Sequence, residues 1–464
     1  MDGLEGLRRF YQEPAVRSRI REYLGGKRLE EATARFVIFP TPFVQEPFAP
    51  LPAEEVWSLL NDRLEAARSL WDRASLIAHL DLEHVHFDRP WQPLADPERC
   101  FALQRPVAGA ILAVLAEEGI VPLHLLTGRG HHFVWRIGFE SPAFGALARL
   151  GRPNTGLRRF YELPQLPRGE RVGGELGAAQ HGLGKVLEHV AHRVLAQARG
   201  RCLVPVQLTA VTVGPGPEGR EIVSFDLSSA GDPLCRRSLR IPFTAYRKGV
   251  FLGASAELAE KLLIVVPVVD GDEEASRAAM SDLARASELA SRVSTAIPLA
   301  ATEGLVERYL GSGLAAFHAR FEAEEPQPPE RWPETYDRLD PGGLPLCARR
   351  MLENPNDLLL QPAGIQILVR VLLARGWHPR HIAGLLVSKY SRDYGWIPGL
   401  HFHEPGVRAD FYARLFAGLI DAGLDELIDF NCQSTREKGY CPGGECGWNL
   451  RDLGDRLRRG DHHG

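Results

Sequence analysis

Apolar positions near the start of the chain fall at helical spacing. Leu4, Leu7 and Phe10 form one run and Val16, Ile20 and Leu24 a second, which Gly25-Gly26 stop. Ala34 to Phe39, before Pro40, predicts a strand, and a helix is expected after Pro52, running through Val56, Leu59, Leu60 and Leu64 towards Leu70. The apolar run Ser75 to Leu80 then reads as a strand that leads into Asp81-Leu82-Glu83. Val107, Ile111, Leu112 and Leu115 make a helical face ended by Gly119, and Val121 to Leu126 and Phe133 to Ile137 flank a glycine turn as a hairpin. Val186, Leu187, Val190, Val194 and Leu195 predict a helix closed by Gly200, with His189 and His192 on its exposed side. Strands follow at Val204 to Val213 and at Ile222 to Phe225, the second leading into Asp226.

This alternation predicts a mixed α/β (α+β) catalytic domain over residues 1–270. Residues 271–336 read as a helical connector ending in the proline- and acid-rich stretch Glu322 to Pro333. Residues 337–455 read as a mainly helical domain, with Ile365, Leu368, Leu372, Ile382, Leu385 and Leu386 in its middle.

Three strand-borne polar sites carry candidate chemistry. In a strand, positions i and i+2 share a face, so Asp81 and Glu83 project together. Two carboxylates so close call for a cation, and oxygen donors with room for water and phosphate suit Mg²⁺ or Mn²⁺. Asp226 would add a third carboxylate. In Thr127-Gly128-Arg129-Gly130-His131-His132, the glycines let the backbone bend and approach a ligand, while Arg129 and His132 can donate to phosphate oxygens. His79, His84 and His86 flank the first carboxylate pair, as supporting groups or as plain strand-face histidines.

In order and spacing, these motifs resemble those of the archaeo-eukaryotic primase superfamily. Leu80-Asp81-Leu82-Glu83 is similar to its apolar-Asp-x-Asp/Glu motif, Thr127 to His132 to its Ser-Gly-x-Gly-x-His motif, and Phe225-Asp226 to its apolar-Asp motif. Leu239 to Gly249 resembles a downstream segment, with Thr127 and Thr244 standing for serine and Tyr246 where histidine is common. The resemblance implies an RRM-like core in which Asp81, Glu83 and Asp226 hold two divalent ions. It also implies that Thr127, Gly128, Arg129, Gly130, His132, Arg240 and Lys248 bind the incoming nucleotide.

Cys347, Cys432, Cys441 and Cys446 gather in the terminal region. Only Cys441 and Cys446 come near a zinc-type spacing, and thiolates scattered through a helical domain suit an iron–sulfur cluster better, with zinc or no metal as alternatives. The arrangement also resembles the C-terminal domain of the primase large subunit, which implies a 4Fe-4S cluster on these four cysteines. Cys100, Cys202 and Cys235 have no ligand-like spacing.

With 55 Lys and Arg against 59 Asp and Glu, the net charge of −4 excludes a uniformly basic protein. Nucleic acid would need a local basic surface, for which Arg236, Arg237, Arg240, Arg247 and Lys248 are candidates. No segment resembles a signal peptide and none is expected to span a bilayer, which points to the cytoplasm. The expected function is a DNA-template-dependent primase-polymerase, a nucleotidyltransferase that starts and extends strands. Its partners would be single-stranded DNA template, primer and NTPs or dNTPs, with replication, repair or CRISPR and mobile-element proteins as candidate protein partners. The alternatives are a repair or end-joining polymerase unable to initiate, and a non-catalytic nucleic-acid-binding replication or defence protein.

Overall fold

The computed structural model describes residues 2–40, 48–215, 218–247, 253, 255, 257–258, 261–396 and 404–460. Nine strands are described: β1 (Val37–Ile38), β2 (Ala67–Ser69), β3 (Ser75–His86), β4 (Leu123–Leu126), β5 (Gly130–Gly138), β6 (Val206–Leu208), β7 (Glu221–Asp226), β8 (Ser238–Arg240) and β9 (Val266–Pro267). They form a small sheet ordered β1-β2-β8 and a larger one ordered β6-β7-β3-β5-β4-β9. All pairings between these strands are antiparallel except β6 with β7. The larger sheet is threaded as β3, the helix Pro97–Ala116, β4 and β5, the helix Gly174–Ala198, then β7. The fold is mixed α/β, with helices along the whole chain.

The alternation of β3 decides where the core lies. Leu76, Ala78, Leu80 and Leu82 face the helices Pro97–Ala116 and Gly174–Ala198 and belong to one apolar cluster, whereas Ile77 belongs to a second cluster built on the N-terminal helices. The first cluster continues through Phe317, Leu368, Phe416 and Leu457, so packing crosses the expected divisions at 270 and 336. A buried polar weld accompanies it. Glu188, on the Gly174–Ala198 helix, accepts from Arg414 at 3.1 Å and meets His318 at 3.2 Å, and His318 meets the Tyr309 hydroxyl at 2.9 Å. Burial pushes the Glu188 carboxyl up, but the charges of Arg414 and His318 outweigh it and bring it down to about 2.

Several expectations are corrected. The helix expected to reach Leu70 ends at Arg63, because Leu64 takes φ 65° and closes it. The chain then leaves as β2, which carries Arg68 inward to the Tyr23 carbonyl (2.7 Å) and Asp72 (2.6 Å). The strand at 34–39 shrinks to β1, and the one at 204–213 to β6, where Thr209 turns the chain at φ 61°. His189 and His192 are buried, not exposed, since the helices Glu303–Leu310 and Gly313–Ala323 cover that side. Pro97–Ala116 is, by length and composition, long and apolar enough to cross a membrane, contrary to expectation. Its Val107, Ile111, Val114 and Leu115 are buried in the first cluster and its Phe101 in the second.

The weld predicts the outcome of breaking it. Arg414→Leu leaves Glu188 buried without its cation and is expected to cost about 3–5 kcal/mol. Denaturant unfolding measures this, and Glu188→Leu in the same background should restore part of the loss. A cost under about 1 kcal/mol, as at an exposed pair, would contradict a structural role.

A candidate metal and nucleotide site on three adjacent strands

Strand β3 lies between β5 and β7, and its register decides which side chains meet. Asp81 stands opposite His132 of β5 and opposite Asp226 of β7. Cross-strand partners share a face, so the three form one row. His79 and Glu83, two residues to either side of Asp81, point the same way, and Ser224 stands opposite Glu83. Exposure grows along this face. Ile77 is 1% exposed and His79 8%, while the Asp81 and Glu83 side chains reach 20% and 18%. The row therefore sits where the second apolar cluster gives way to solvent.

The turn before β5 is closed by the Thr127 amide donating to the Gly130 carbonyl at 2.8 Å. Both glycines are sterically required. A Cβ on Gly130 would lie 1.9 Å from the Leu82 carbonyl oxygen, and one on Gly128 would lie 2.1 Å from the Tyr246 ring. The turn aims Arg129 at Glu83, with which it forms an ion pair. Burial acts against the Arg129 charge, but Glu83, Tyr246 and Asp81 hold its pKa above the ordinary value. Tyr246, its phenol pushed up to about 12 by burial, lies under the guanidinium of Arg240 at 4.9 Å.

Asp226 is held by its own loop. One carboxylate oxygen accepts from the Ser228 amide at 2.8 Å and the other from the Ser228 hydroxyl at 3.0 Å, while Arg237 donates to the Ser228 carbonyl at 2.5 Å and pairs with Asp232. Among the expected basic residues, Arg240 pairs with Glu65 and is 12% exposed, and Arg236 lies over Phe48 and Phe160. The expected basic surface is thus largely turned inward, because these arginines neutralise buried acids and cover aromatic rings. Lys248 and Gly249 lie outside the described residues.

His132 Nε2 is 3.6 Å from Asp81 Oδ1, and its ring meets that of His79 edge to face at 4.7 Å. Burial pushes His79 well below its ordinary pKa, and the charges of His132 and Arg237 add to the effect, so it is neutral at pH 7. Among the described residues, His79, Asp81 and His132 are the one set of three whose candidate ligand atoms all lie within 4.8 Å of one another. On the opposite face His124 meets His131 at 2.9 Å, and His84 meets Glu221 at 3.0 Å, away from the row.

The four terminal cysteines share one neighbourhood. Burial raises the Cys347 thiol to about 12, and the charges of Cys441 and Cys432 reach it and act in the same direction. Cys432 and Cys446 each point to the Trp448 carbonyl at 3.9 Å. Arg370 braces the approach to Cys432, donating to Asp425 at 2.6 and 2.8 Å and to Asp429 at 3.2 Å. Soft thiolates gathered around one loop fit a metal or iron–sulfur group. Cys100 and Cys235 are buried thiols, and Cys202 is partly exposed.

Comparison with protein-family models, curated proteins and solved structures finds no match. The site therefore stands on its own geometry. Sequence reasoning put His79 no higher than a supporting group and missed Ser224 and Ser228. The first two were findable, each lying two residues from a singled-out carboxylate on a strand. Ser228 was not, since its contact depends on how the chain leaves β7.

Two outcomes follow. Gly130→Ala is expected to destabilise the protein by about 1–3 kcal/mol, because the obstructing atom is backbone. A thermal melt measures this, and an unchanged midpoint would contradict the close approach. Buried neutral histidines also make stability pH-dependent. The folded pKa values of His79, His124 (about 4) and His131 lie below the unfolded value of 6.5. The unfolded chain binds protons first, so their stabilising effect is complete above pH 6.5 and is lost as pH falls. For His124 alone the loss is on the order of 3 kcal/mol by pH 4. Denaturant midpoints at pH 7 and pH 5 should differ in that direction.

Proposed function

We propose that this chain is a DNA-template-dependent primase-polymerase of the archaeo-eukaryotic primase type, acting in the cytoplasm. The observation that carries the reading is the strand register: three motifs distant in sequence meet as one row, Asp226, Asp81 and His132, beside the glycine turn. The threading of β3, helix, β4, β5, helix and β7, with spatial order β7-β3-β5-β4, follows the β-α-β-β-α-β pattern of ferredoxin-like folds and supports an RRM-like core.

Asp81, Glu83 and Asp226 offer oxygen donors on one face, the set that Mg²⁺ or Mn²⁺ takes. Divalent ions held there would acidify the attacking 3′-hydroxyl and neutralise the departing pyrophosphate. The chain's own groups position the reactants. Arg129, now on Glu83, exchanges that carboxylate for the triphosphate of an incoming NTP or dNTP, which frees Glu83. His132 donates to a phosphate oxygen, and Arg240 and Lys248 complete the counter-charge. No covalent enzyme intermediate is needed.

Cys347, Cys432, Cys441 and Cys446 would hold a 4Fe-4S cluster. Zinc is the alternative, since thiolate ligands suit both. The terminal domain would bind the initiating nucleotide or the template–primer junction, and it borders a cavity of about 680 Å³ lined by Arg99, Arg201, Ser434 and Arg451.

The test is incorporation of labelled nucleotides on single-stranded DNA, with and without primer, comparing wild type with Asp226→Ala. Products on unprimed template, reduced about a hundredfold or more in the variant, are expected. Extension of primers alone would make the protein a polymerase unable to initiate. DNA binding without any incorporation would reduce it to a binding protein.

A further inference from the structure

We propose that in the nucleotide-free protein His79, Asp81 and His132 form a transition-metal site, a two-imidazole, one-carboxylate set that takes Mn²⁺ or Zn²⁺ in preference to Mg²⁺. The site shares Asp81 with the reading above but does not depend on it, since binding requires no polymerase activity.

Two observations carry it. The first is geometry. At bond lengths of about 2.0–2.2 Å, neighbouring ligands of one metal lie about 3.0–3.5 Å apart. His132 Nε2 and Asp81 Oδ1 are already 3.6 Å apart, and all three donors lie within 4.8 Å. Small side-chain rotations close the set. The second is the state of His79. The residue is 8% exposed, and its Nε2 is buried with no hydrogen-bond partner. An unmet polar nitrogen costs free energy in a dry setting, and a metal bond satisfies it.

The donor types select the metal. Mg²⁺ keeps oxygen ligands and gives up water reluctantly, whereas imidazole suits the later first-row metals, with Zn²⁺ binding more tightly than Mn²⁺. The neighbouring acids already have counter-groups, Glu83 in Arg129 and Asp226 in Ser228. The face carrying Asp81 is also the part of the sheet where exposure begins, which gives an ion a route in.

The experiment uses the full chain, stripped with a chelator and titrated with Mn²⁺, which thiolates bind poorly. The readout is loss of the free-ion paramagnetic resonance signal. Wild type is expected to bind a Mn²⁺ ion that excess Mg²⁺ does not displace, and His79→Gln to weaken that binding about tenfold or more. His132→Gln serves as a second variant, with circular dichroism confirming that each is folded. Mn²⁺ affinity unchanged in both folded variants, or equal displacement by Mg²⁺, overturns the proposal. The two readings fail separately. Mn²⁺ binding that needs His79, without nucleotide incorporation, sinks only the primase reading. Incorporation that needs Asp226, with Mn²⁺ binding indifferent to His79, sinks only the metal site.

Discussion

The register of β3 between β5 and β7 is the constraint on which the rest depends. Leu76, Ala78, Leu80 and Leu82 must face the helices, and this alone turns His79, Asp81 and Glu83 to the other side. A slip of one residue would put two carboxylates into a dry core and turn four apolar side chains towards the partly exposed face. Core packing therefore orients the polar row more firmly than any contact within the row. The same alternation puts Ile77, His79 and Asp81 on one face, along which exposure rises.

Three carboxyl groups on one face would repel one another if nothing answered them. Glu83 has Arg129, Asp226 has the Ser228 amide and hydroxyl, and Arg237 and Arg240 pair with Asp232 and Glu65 around them. A cation or a phosphate that enters exchanges with groups already engaged, so its affinity is a difference between two sets of contacts. Those arginines are engaged internally and add little to the outer surface.

The C-terminal helices are continuous with the sheet's core and not appended to it. Glu188, Arg414 and His318 join them to the Gly174–Ala198 helix, and Lys185 reaches Glu322 at 2.5 Å beside them. Within this part, Arg370 and Lys438 converge on Asp429 and fix the loop and short helix that carry Cys432. Phe411, on the helix Pro405–Asp421, also packs against Gly231, a few residues beyond Asp226. The cysteine neighbourhood and the carboxylate row are thus held by one packed body.

The strands carrying Asp81, His132 and Asp226 were legible because period-two alternation is a local property, and the glycine turn because a tight bend needs residues without Cβ. Leu64 and Thr209 were not legible as stops, since only surrounding packing holds such residues at positive φ. Burial of His189 and His192 was hidden because helices more than a hundred residues later cover that face. By itself, the sequence determined the strand faces, the polar residues on them and the grouping of four cysteines in one region. Tertiary structure decided which strands are neighbours, which arginine answers which acid, and that His79 joins Asp81 and His132. Register and ion pairing are contacts between distant segments, and no local pattern in the chain encodes them.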